Sequence, residues 1–416
     1  MFLPLWALFQ STTSLPATKP SVKATFSIEA RDPTLPDWQK DNKTAEWASG
    51  YPKTWGSEVV KYTQPSPNPR TVAGPGAVTP DEKFLIMSNT TNTRITDLQS
   101  GETVTDIPRP SDELRVVGAE NGGYYLLLAN ETLEPSWVYS LTQYQLSAAG
   151  IPNSSLITHD GTLASFEPRL VTHGGRYVAV DWHPDVYIYS FTDPEYKLTL
   201  SNHTDAVLSV DWTSDGKYIA TTSYDGTGKL WNGEDGTFLT DFDISDINPS
   251  WIVRFSPDNK YLAITLGAWS ARIYAMDDLT VAPIVIDGFP LWVRTVEWSP
   301  DGKLLALGGD SQIQVYSMDE GKVVQTWQQE TTTGVGEVDD VAWFGGGSKL
   351  AYRVNAGLEV YDFDTNLKYR WGPNEGDEFI LGDNFGRTFI LEERGWIGGF
   401  DNDHAARFWE LPEALV

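Results

Sequence analysis

The chain has 416 residues, of which 57 are acidic and 30 are basic, so its formal net charge is −27, and it contains no cysteine. This charge argues against a nucleic-acid partner and against an anionic membrane surface, because both require clustered Lys and Arg. The absence of cysteine removes disulfides, thiolate metal sites and cysteine nucleophiles. Hydrophobic residues make up 40% of the chain and aromatic residues 12%, enough for a sizeable core.

The N-terminus begins with a short apolar stretch, Phe2–Phe9, which is followed by Ser and Thr and then by Pro16-Ala17. This length suits the hydrophobic region of a signal peptide and is too short to span a bilayer. We therefore expect residues 1–17 to be a signal peptide and the protein to be secreted. No basic residue precedes Lys19, however, so the alternative is a disordered segment or an edge-packing N-terminal strand in a cytoplasmic protein. No other long apolar run occurs, and no membrane span is predicted.

Asn-x-Ser/Thr sequons favour secretion, because such sites accept glycans in surface loops of secreted proteins. The candidate glycosylation sites are Asn42, Asn89, Asn130, Asn153 and Asn202. The lack of cysteine does not discriminate, since it fits a secreted protein as well as a reduced cytoplasmic one.

Residues 18–72 are rich in Pro, Lys and Trp and show little sustained alternation of apolar and polar residues. They are interpreted as an irregular N-terminal arm that ends in a strand near Val59–Tyr62. From residue 73 to residue 416 the pattern changes, and a unit of about 40 residues recurs.

The repeating unit is clearest in Asp205–Asp243, where four short strand-like segments are separated by Asp-Gly turns. Its turn-plus-strand core begins at Asp215, Asp258 and Asp301, each 43 residues after the one before. Four strands with this period are typical of propeller blades, since a single blade cannot bury both of its faces. We predict an all-β propeller with seven or eight four-stranded blades, because eight candidate units occur and seven is the commoner closure.

Residues 200–243 resemble the WD40-repeat family. His203 matches the histidine of the family's Gly-His pair, Ser223 and Asp225 match its Ser/Thr and turn aspartate, and Trp231 matches its tryptophan. The resemblance implies that these four side chains form a buried hydrogen-bond chain that locks the blade. Such a chain is reasonable because each buried polar group then has a partner in its own blade.

The other units are degenerate. Asp310, Asp403 and His183 occupy the slot of Asp225 in three of them, six residues before an aromatic residue, but none of these units supplies all four side chains. The resemblance implies a binding platform, since WD40 propellers serve many unrelated partners.

One short segment could carry chemistry. Asp181, His183 and Asp185 would share one face of an extended strand, where they could bind a divalent metal or act as an acid/base pair. Pro184 interrupts the strand, however, and His183 has a structural explanation in the turn-aspartate slot. No zinc motif or phosphate-binding loop occurs, so we expect no metal and no cofactor.

The tryptophans are another candidate binding feature, because aromatic faces stack on ligands. Those at recurrent positions are assigned to the core. Trp251 and Trp292 each precede the first strand of a blade, which places them near the rim of the central channel and makes them candidate ligand contacts.

Two hypotheses of different classes follow. The leading one is a non-catalytic, secreted binding protein whose rim loops face a protein or a small-molecule ligand. The alternative is an enzyme with an active site in the central channel that acts on a small molecule, for which Asp181, His183, Asp310 and Asp403 are the first candidate catalytic residues. Side chains drawn from several blades would leave no linear motif, so both hypotheses stay open at this point.

Overall fold

The computed structural model describes residues 46–416 except for 52, 55–56, 65–75, 112, 120–121, 133–137, 162–170, 174–175, 183, 194, 243, 245–249, 267–268, 290–291, 310–311, 329–337, 339, 355–356, 373–387 and 402–404. They belong to one unit of the chain, Trp38–Val416. The predicted signal peptide and the sequon at Asn42 lie outside the described residues. No helix within the described part of the chain is long and apolar enough to cross a membrane.

Strands are numbered β1–β34 along the chain, and the eight sheets that they form are called blades 1–8. Three short strands precede blade 1, namely β1 (Glu46–Trp47), β2 (Lys53–Thr54) and β3 (Val60–Thr63). Blade 1 contains β4 (Gly76–Val78), β5 (Phe84–Ser88), β6 (Thr93–Asp97) and β7 (Thr103–Ile107). Blade 2 contains β8 (Glu113–Gly118), β9 (Tyr124–Thr132), β10 (Val138–Leu146) and β11 (Pro152–Gly161). Blade 3 contains β12 (Val171–His173), β13 (Tyr177–Trp182), β14 (Asp185–Ser190) and β15 (Lys197–Leu200).

The remaining blades follow the same pattern. Blade 4 contains β16 (Val207–Trp212), β17 (Tyr218–Ser223), β18 (Gly228–Asn232) and β19 (Phe238–Phe242). Blade 5 contains β20 (Ser250–Phe255), β21 (Tyr261–Leu266), β22 (Ser270–Ala275) and β23 (Ile284–Ile286). Blade 6 contains β24 (Val293–Trp298), β25 (Leu304–Gly309), β26 (Gln312–Ser317) and β27 (Lys322–Gln328). Blade 7 contains β28 (Val341–Phe344), β29 (Lys349–Val354), β30 (Gly357–Asp362) and β31 (Leu367–Gly372), and blade 8 contains β32 (Phe389–Leu391), β33 (Trp396–Asp401), β34 (Ala405–Glu410) and, as its fourth strand, β3.

The four strands of each blade are antiparallel neighbours, and the first strands of consecutive blades, such as β16, β20 and β24, lie next to one another. The first strands therefore surround the centre of the ring and the fourth strands form its outer edge. The predicted all-β propeller is confirmed, and the number of four-stranded blades is eight. The helical pieces within the described residues are two short 3₁₀ turns, Gly345–Gly347 and Glu413–Leu415.

The turn between the first and second strands follows one local design in several blades. The hydroxyls of Thr213, Ser256 and Ser299 accept the backbone N–H of the residue five positions later, at 3.0, 2.9 and 2.9 Å. Gly216 and Asn259 hold the left-handed position of this turn, with φ of 72° and 61°. Gly and Asn adopt this conformation at the lowest cost, so the Asp-Gly and Asp-Asn steps in the sequence place these turns.

The core consists of eight clusters of buried side chains, each lying between two consecutive blades. One such cluster joins Ala220 and Leu230 of blade 4 to Val253 and Leu262 of blade 5. Burying one Leu or Val side chain in such a cluster contributes about 1.5–3 kcal/mol, and both faces of every blade are used in this way. The two ends of the repeat are joined by the same kind of cluster, which packs Leu85 of blade 1 against Phe408 of blade 8. The ring is therefore closed.

Closure depends on a strand from the N-terminal side of the repeat. β3 pairs with β34 in antiparallel register, with Tyr62 opposite Ala406, and supplies the outer strand that blade 8 otherwise lacks. The carboxylate of Glu58, just before β3, accepts a hydrogen bond from the Arg407 guanidinium at 2.6 Å, and both side chains are less than one-tenth exposed. The first and last parts of the propeller are thus held together by a buried ion pair and by a β ladder.

The segment expected to be an irregular arm, residues 18–72, contains three strands in its described part. In addition to β3, the strands β1 and β2 pair in parallel with β31, the outer strand of blade 7, with Trp47 opposite Lys368. Two consecutive blades are therefore bound by the same N-terminal segment. The boundary at residue 72 and the irregularity of residues 18–45 remain predictions.

Replacing Glu58 by Ala should lower the free energy of unfolding by about 3 kcal/mol, because the change removes the carboxylate partner of a buried Arg. Asp106→Ala is the matched control, since Asp106 pairs with Arg94 across the outer strands of blade 1 but is 42% exposed. That exposed pair should contribute less than about 1 kcal/mol. Equilibrium unfolding in urea measures both values, and equal losses in the two variants would contradict the role given to Glu58 in closing the ring.

Candidate functional site

One face of the ring, called the loop face here, carries the turns between second and third strands and the segments that lead from one blade to the next. In blade 4 these two kinds of segment meet. His203 lies in the segment before β16, and Asp225 lies in the turn between β17 and β18. The backbone N–H of Thr204 donates to the Asp225 carboxylate at 3.0 Å, so the blade-linking segment is held on the turn.

His203, Thr221, Asp225 and Trp231 form a continuous hydrogen-bond chain. His203 Nδ1 lies 2.8 Å from Asp225 Oδ2, His203 Nε2 lies 2.7 Å from Thr221 Oγ1, and Trp231 Nε1 donates to Thr221 Oγ1 at 2.9 Å. A neutral imidazole with its proton on Nδ1 satisfies this chain, because Nδ1–H then donates to the carboxylate while Nε2 accepts the Thr221 hydroxyl proton. A second proton on Nε2 would leave the Thr221 hydroxyl proton without that acceptor.

The titration behaviour of the pair agrees with this proton arrangement. Burial lowers the pKa of His203, and the hydrogen bond to Asp225 offsets only part of that effect. Burial acts on Asp225 in the opposite direction, but hydrogen bonds from the Thr227 hydroxyl, the Thr204 amide and His203 outweigh it and lower the pKa of Asp225 to about 2. At neutral pH the chain therefore joins an uncharged imidazole to a carboxylate whose oxygens are already used, an arrangement suited to structure.

The structure places Ser223 differently from the sequence analysis. The Ser223 hydroxyl donates to the carbonyl of Asp205 and accepts the N–H of Asp225, whereas the link between His203 and Trp231 is Thr221. Both residues lie on β17 and, being two apart, point to the same side of the strand. The register places Ile219 opposite Trp231 and so brings position 221 within reach of the indole. The local sequence places hydroxyl residues at both positions 221 and 223, but it does not show which of them joins His203 to Trp231.

The side chains of the four candidate catalytic residues lie outside the described residues. Asp181 lies on β13 opposite Val186, but its side chain is outside the described part, as are His183, Asp310 and Asp403 altogether. Among the side chains that the structure describes, no three of His, Asp or Glu are grouped so that they could hold a metal ion. Their assignment as catalytic residues therefore remains an untested prediction.

Of the two tryptophans proposed for the rim, the structure describes the side chain of one. Trp292 lies in the segment between blades 5 and 6, where it is half-buried and the Arg294 guanidinium carbon lies 5.2 Å from its ring centroid. Trp251 lies on β20, and its side chain is outside the described residues. Both assignments as ligand contacts remain predictions.

A third tryptophan of the loop face was not singled out from the sequence. Trp269, in the turn between β21 and β22, is 45% exposed and has a left-handed φ of 65°. Gly226 lies five residues before Trp231 in blade 4, and Trp269 lies five residues before Tyr274, the equivalent aromatic residue of blade 5. Trp269 thus takes the place of Gly226, whose φ is 79°. A bulky residue in this conformation costs about 1 kcal/mol. The signal that could have revealed it is a tryptophan aligned with a turn glycine.

The sequons lie in different environments. Asn153 and Asn202 are exposed and Asn130 is partly buried, whereas Asn89 is only 8% exposed. The Asn89 Oδ1 accepts hydrogen bonds from the N–H and the hydroxyl of Thr91 and from the N–H of Asn92. Asn89 is therefore used in a turn of blade 1.

Comparison with family models finds two matches. The model "WD domain, G-beta repeat" matches residues 194–232, which include the hydrogen-bond chain of blade 4. The model "Anaphase-promoting complex subunit 4 WD40 domain" matches residues 253–346, which cover blades 5 and 6 and reach into blade 7.

The chain is also similar to curated proteins, and two of the following three are named as WD repeat-containing proteins. The chain is 27% identical to "WD repeat-containing protein SL1-17" of Schistosoma mansoni over 29% of its own length and 54% of that protein. It is 27% identical to "Jouberin" of Rattus norvegicus over 33% of its length and 14% of that protein. It is 32% identical to "WD repeat-containing protein RUP2" of Arabidopsis thaliana over 34% of its length and 43% of that protein. The matches thus span about half of these relatives or less.

Thr221→Val should lower the free energy of unfolding by about 2 kcal/mol, because it leaves the Trp231 N–H and His203 Nε2 without their shared partner. The neighbouring Thr222 is equally buried, and its hydroxyl has no hydrogen-bond partner in the described structure. Thr222→Val is therefore the control, and it should leave stability unchanged or slightly higher. The measurement is thermal and urea unfolding of both variants. An equal effect of the two substitutions would refute the role assigned to Thr221.

Three independent observations now agree on the family. Eight four-stranded blades close into a ring, blade 4 contains the hydrogen-bond chain of His203, Thr221, Asp225 and Trp231, and WD40 models match two stretches of the repeat. The chain is therefore a β-propeller with repeats of the WD40 type, matched by the family models over residues 194–232 and 253–346 and degenerate outside blade 4.

Proposed function

We propose that this protein is a non-catalytic interaction platform that presents the loop face of its propeller to a protein partner. The observation that carries the proposal is the closed WD40 ring with aromatic side chains on this face, Trp269 exposed and Trp292 beside Arg294. Family likeness supports the class of function and does not identify the partner.

The residue types on the loop face support this proposal. Trp and Arg are the side chains that most often dominate the binding energy of protein interfaces, because each buries a large area and also makes polar contacts. Trp269 in particular holds an unfavourable backbone conformation at a position where Gly226 serves in blade 4. Backbone strain of this kind is frequent at positions that contact ligands, where the surrounding structure holds the residue in an unfavourable conformation.

The net charge of −27 bears on the kind of partner. Long-range attraction to a basic surface would speed encounter and would be weakened by salt, whereas acidic partners would be repelled. A partner with a basic surface is therefore favoured over an acidic one.

We also propose that the protein is secreted, as the apolar segment Phe2–Phe9 and the five sequons favour. The exposed sequons Asn153 and Asn202 are the sites best suited to carry glycans, because the side chain of Asn89 is buried in its turn.

Replacing Trp269 by Gly should separate binding from stability. The glycine removes the exposed indole and at the same time relieves the left-handed backbone, so the melting temperature should stay the same or rise. Partners recovered by affinity purification and quantified by mass spectrometry should fall about tenfold or more, because an interface anchor is lost. Tyr218→Ala is the control, since Tyr218 is an exposed aromatic residue (37%) at the start of β17, on the opposite face. Unchanged recovery with a Trp269→Gly/Trp292→Ala variant would refute the proposal.

Mass spectrometry of the protein from its native source tests secretion. We expect an N-terminus near residue 18 and glycopeptides at Asn153 and Asn202, with Asn89 unoccupied. An unmodified chain that begins at Met1 would disprove the proposal. A mature N-terminus with glycan only at Asn89 would support secretion and contradict the reasoning from side-chain burial.

A further inference from the structure

The outer edge of the ring carries a second surface, between blades 4 and 5, that is separate from the loop face. A cleft of about 480 Å³ lies there, bounded by β19 on one side and by β23 and the loop before it on the other. Its lining includes Phe242 and Tyr274, whose ring centroids are 4.9 Å apart, together with Val281 and Val285. A volume of this size accommodates one or two side chains of a bound ligand.

The apolar character of this edge is specific to blade 5. The blades can be compared at one position of the third strand, which lies two residues before the position equivalent to Trp231 of blade 4. In every blade a residue of the fourth strand lies directly opposite it. In the other blades whose side chain at this position is described, the fourth-strand residue is polar; these residues are Lys61, Asp106, Thr199, Asp241, Thr326 and Arg370. Blade 5 has Val285 there, opposite Arg272 and 57% exposed. The blade 2 residue at this position has its side chain outside the described residues.

Neighbouring side chains extend the apolar surface. Val281 is 56% exposed, Ile284 37%, and Leu239 on the adjacent strand β19 44%. Val281 and Val285 line the same cleft, whereas Ile284 points to the other face of β23 because successive residues of a strand alternate. Exposed aliphatic side chains that share a cleft mark an interaction site more often than scattered single residues do. Among the described residues β23 has one strand neighbour, β22, so its outer edge is open.

The same ring shows what an outer edge of a blade can hold. The outer strand of blade 7, β31, is covered by the extended segments β1 and β2, which pair with it in parallel register. Main-chain hydrogen bonds supply the affinity in such strand addition, and alternate side chains supply specificity. An extended peptide is therefore an occupant for which the fold already contains a precedent.

The charges around β23 favour a particular type of peptide. Exposed Asp277 and Asp278 precede the strand and exposed Asp287 follows it. Two copies of this chain joined through β23 would bring these carboxylates close together, in addition to the repulsion between two charges of −27. A peptide with basic flanks would instead find complementary charge at both ends of an apolar centre.

We propose that the outer edge of blade 5 is a docking site for an extended segment of another protein. The centre of the segment consists of β-branched residues, and every second one of them enters the cleft beside Val285. Basic residues flank this centre on both sides. This site lies on a different surface from the loop face, so it can fail or hold independently of the function proposed above.

Two fluorescent synthetic peptides test the proposal. Both have the core Thr-Val-Thr-Val-Thr, and one carries two Lys on each side whereas the other carries two Glu. The Lys-flanked peptide should bind saturably in fluorescence anisotropy, about tenfold or more tightly than the Glu-flanked one at low salt. The double variant Val281→Thr/Val285→Thr gives the cleft the polar side chain that blades 3 and 6 have at this position. It should weaken binding about fivefold or more without a change in melting temperature.

Ile151→Thr is the matched control, because Ile151 is a 53% exposed aliphatic residue in a turn of blade 2. It should leave the affinity unchanged. Any one of three results overturns the proposal. The first is that the Lys-flanked peptide shows no saturable binding up to about 1 mM. The second is that the double variant binds it as tightly as the unchanged protein does, and the third is that Ile151→Thr lowers the affinity as much as the double variant does. It is also overturned if sedimentation shows concentration-dependent dimers that the double variant abolishes, since a second copy would then occupy the edge.

Discussion

The packing of one blade against the next is the interaction on which the whole structure depends. A four-stranded blade has two apolar faces and cannot bury either alone, so each must be covered by a neighbour. Seven of the eight interfaces form between blades that follow one another along the chain, but the eighth requires the ends of the repeat to meet. That interface is built from Leu85 and Met87 of blade 1 and from Phe389 and Phe408 of blade 8. β3 and the buried Glu58–Arg407 pair complete blade 8 from the opposite end of the repeat.

The hydrogen-bond chain of blade 4 shows how a polar set is accommodated in such a core. Every member has its hydrogen-bond partner within the same blade, so no polar group of the chain depends on a neighbouring blade, while the Trp231 ring packs in the interface with blade 3. In other blades the slot of Trp231 is taken by tyrosines such as Tyr189, Tyr274 and Tyr316, which are buried in the interfaces between blades. Aromatic packing therefore holds these blades without a complete chain, which explains how the repeat could degenerate while the ring stayed closed.

Two surfaces depart from what the fold itself requires. The loop face has an exposed tryptophan where blade 4 has a glycine, and the outer edge of blade 5 has an exposed valine where most blades have a polar residue. Neither feature stabilises the ring, because an exposed apolar side chain gains nothing from burial and a left-handed tryptophan is strained. This exposed tryptophan and this exposed valine are therefore the best candidates for contact with a partner.

The sequence by itself determined the architecture. Alternating strands, Asp-Gly and Asp-Asn turns at Asp215, Asp258 and Asp301, and the 43-residue spacing between these turns identified the propeller, since strand period and turn conformation are local properties. The tertiary structure alone decided the number of blades, the closure by β3 and the choice of Thr221 over Ser223, because register and strand order arise from contacts between distant segments. It also revealed Trp269 and Val285 as exposed, since solvent exposure depends on neighbours that the linear sequence does not specify.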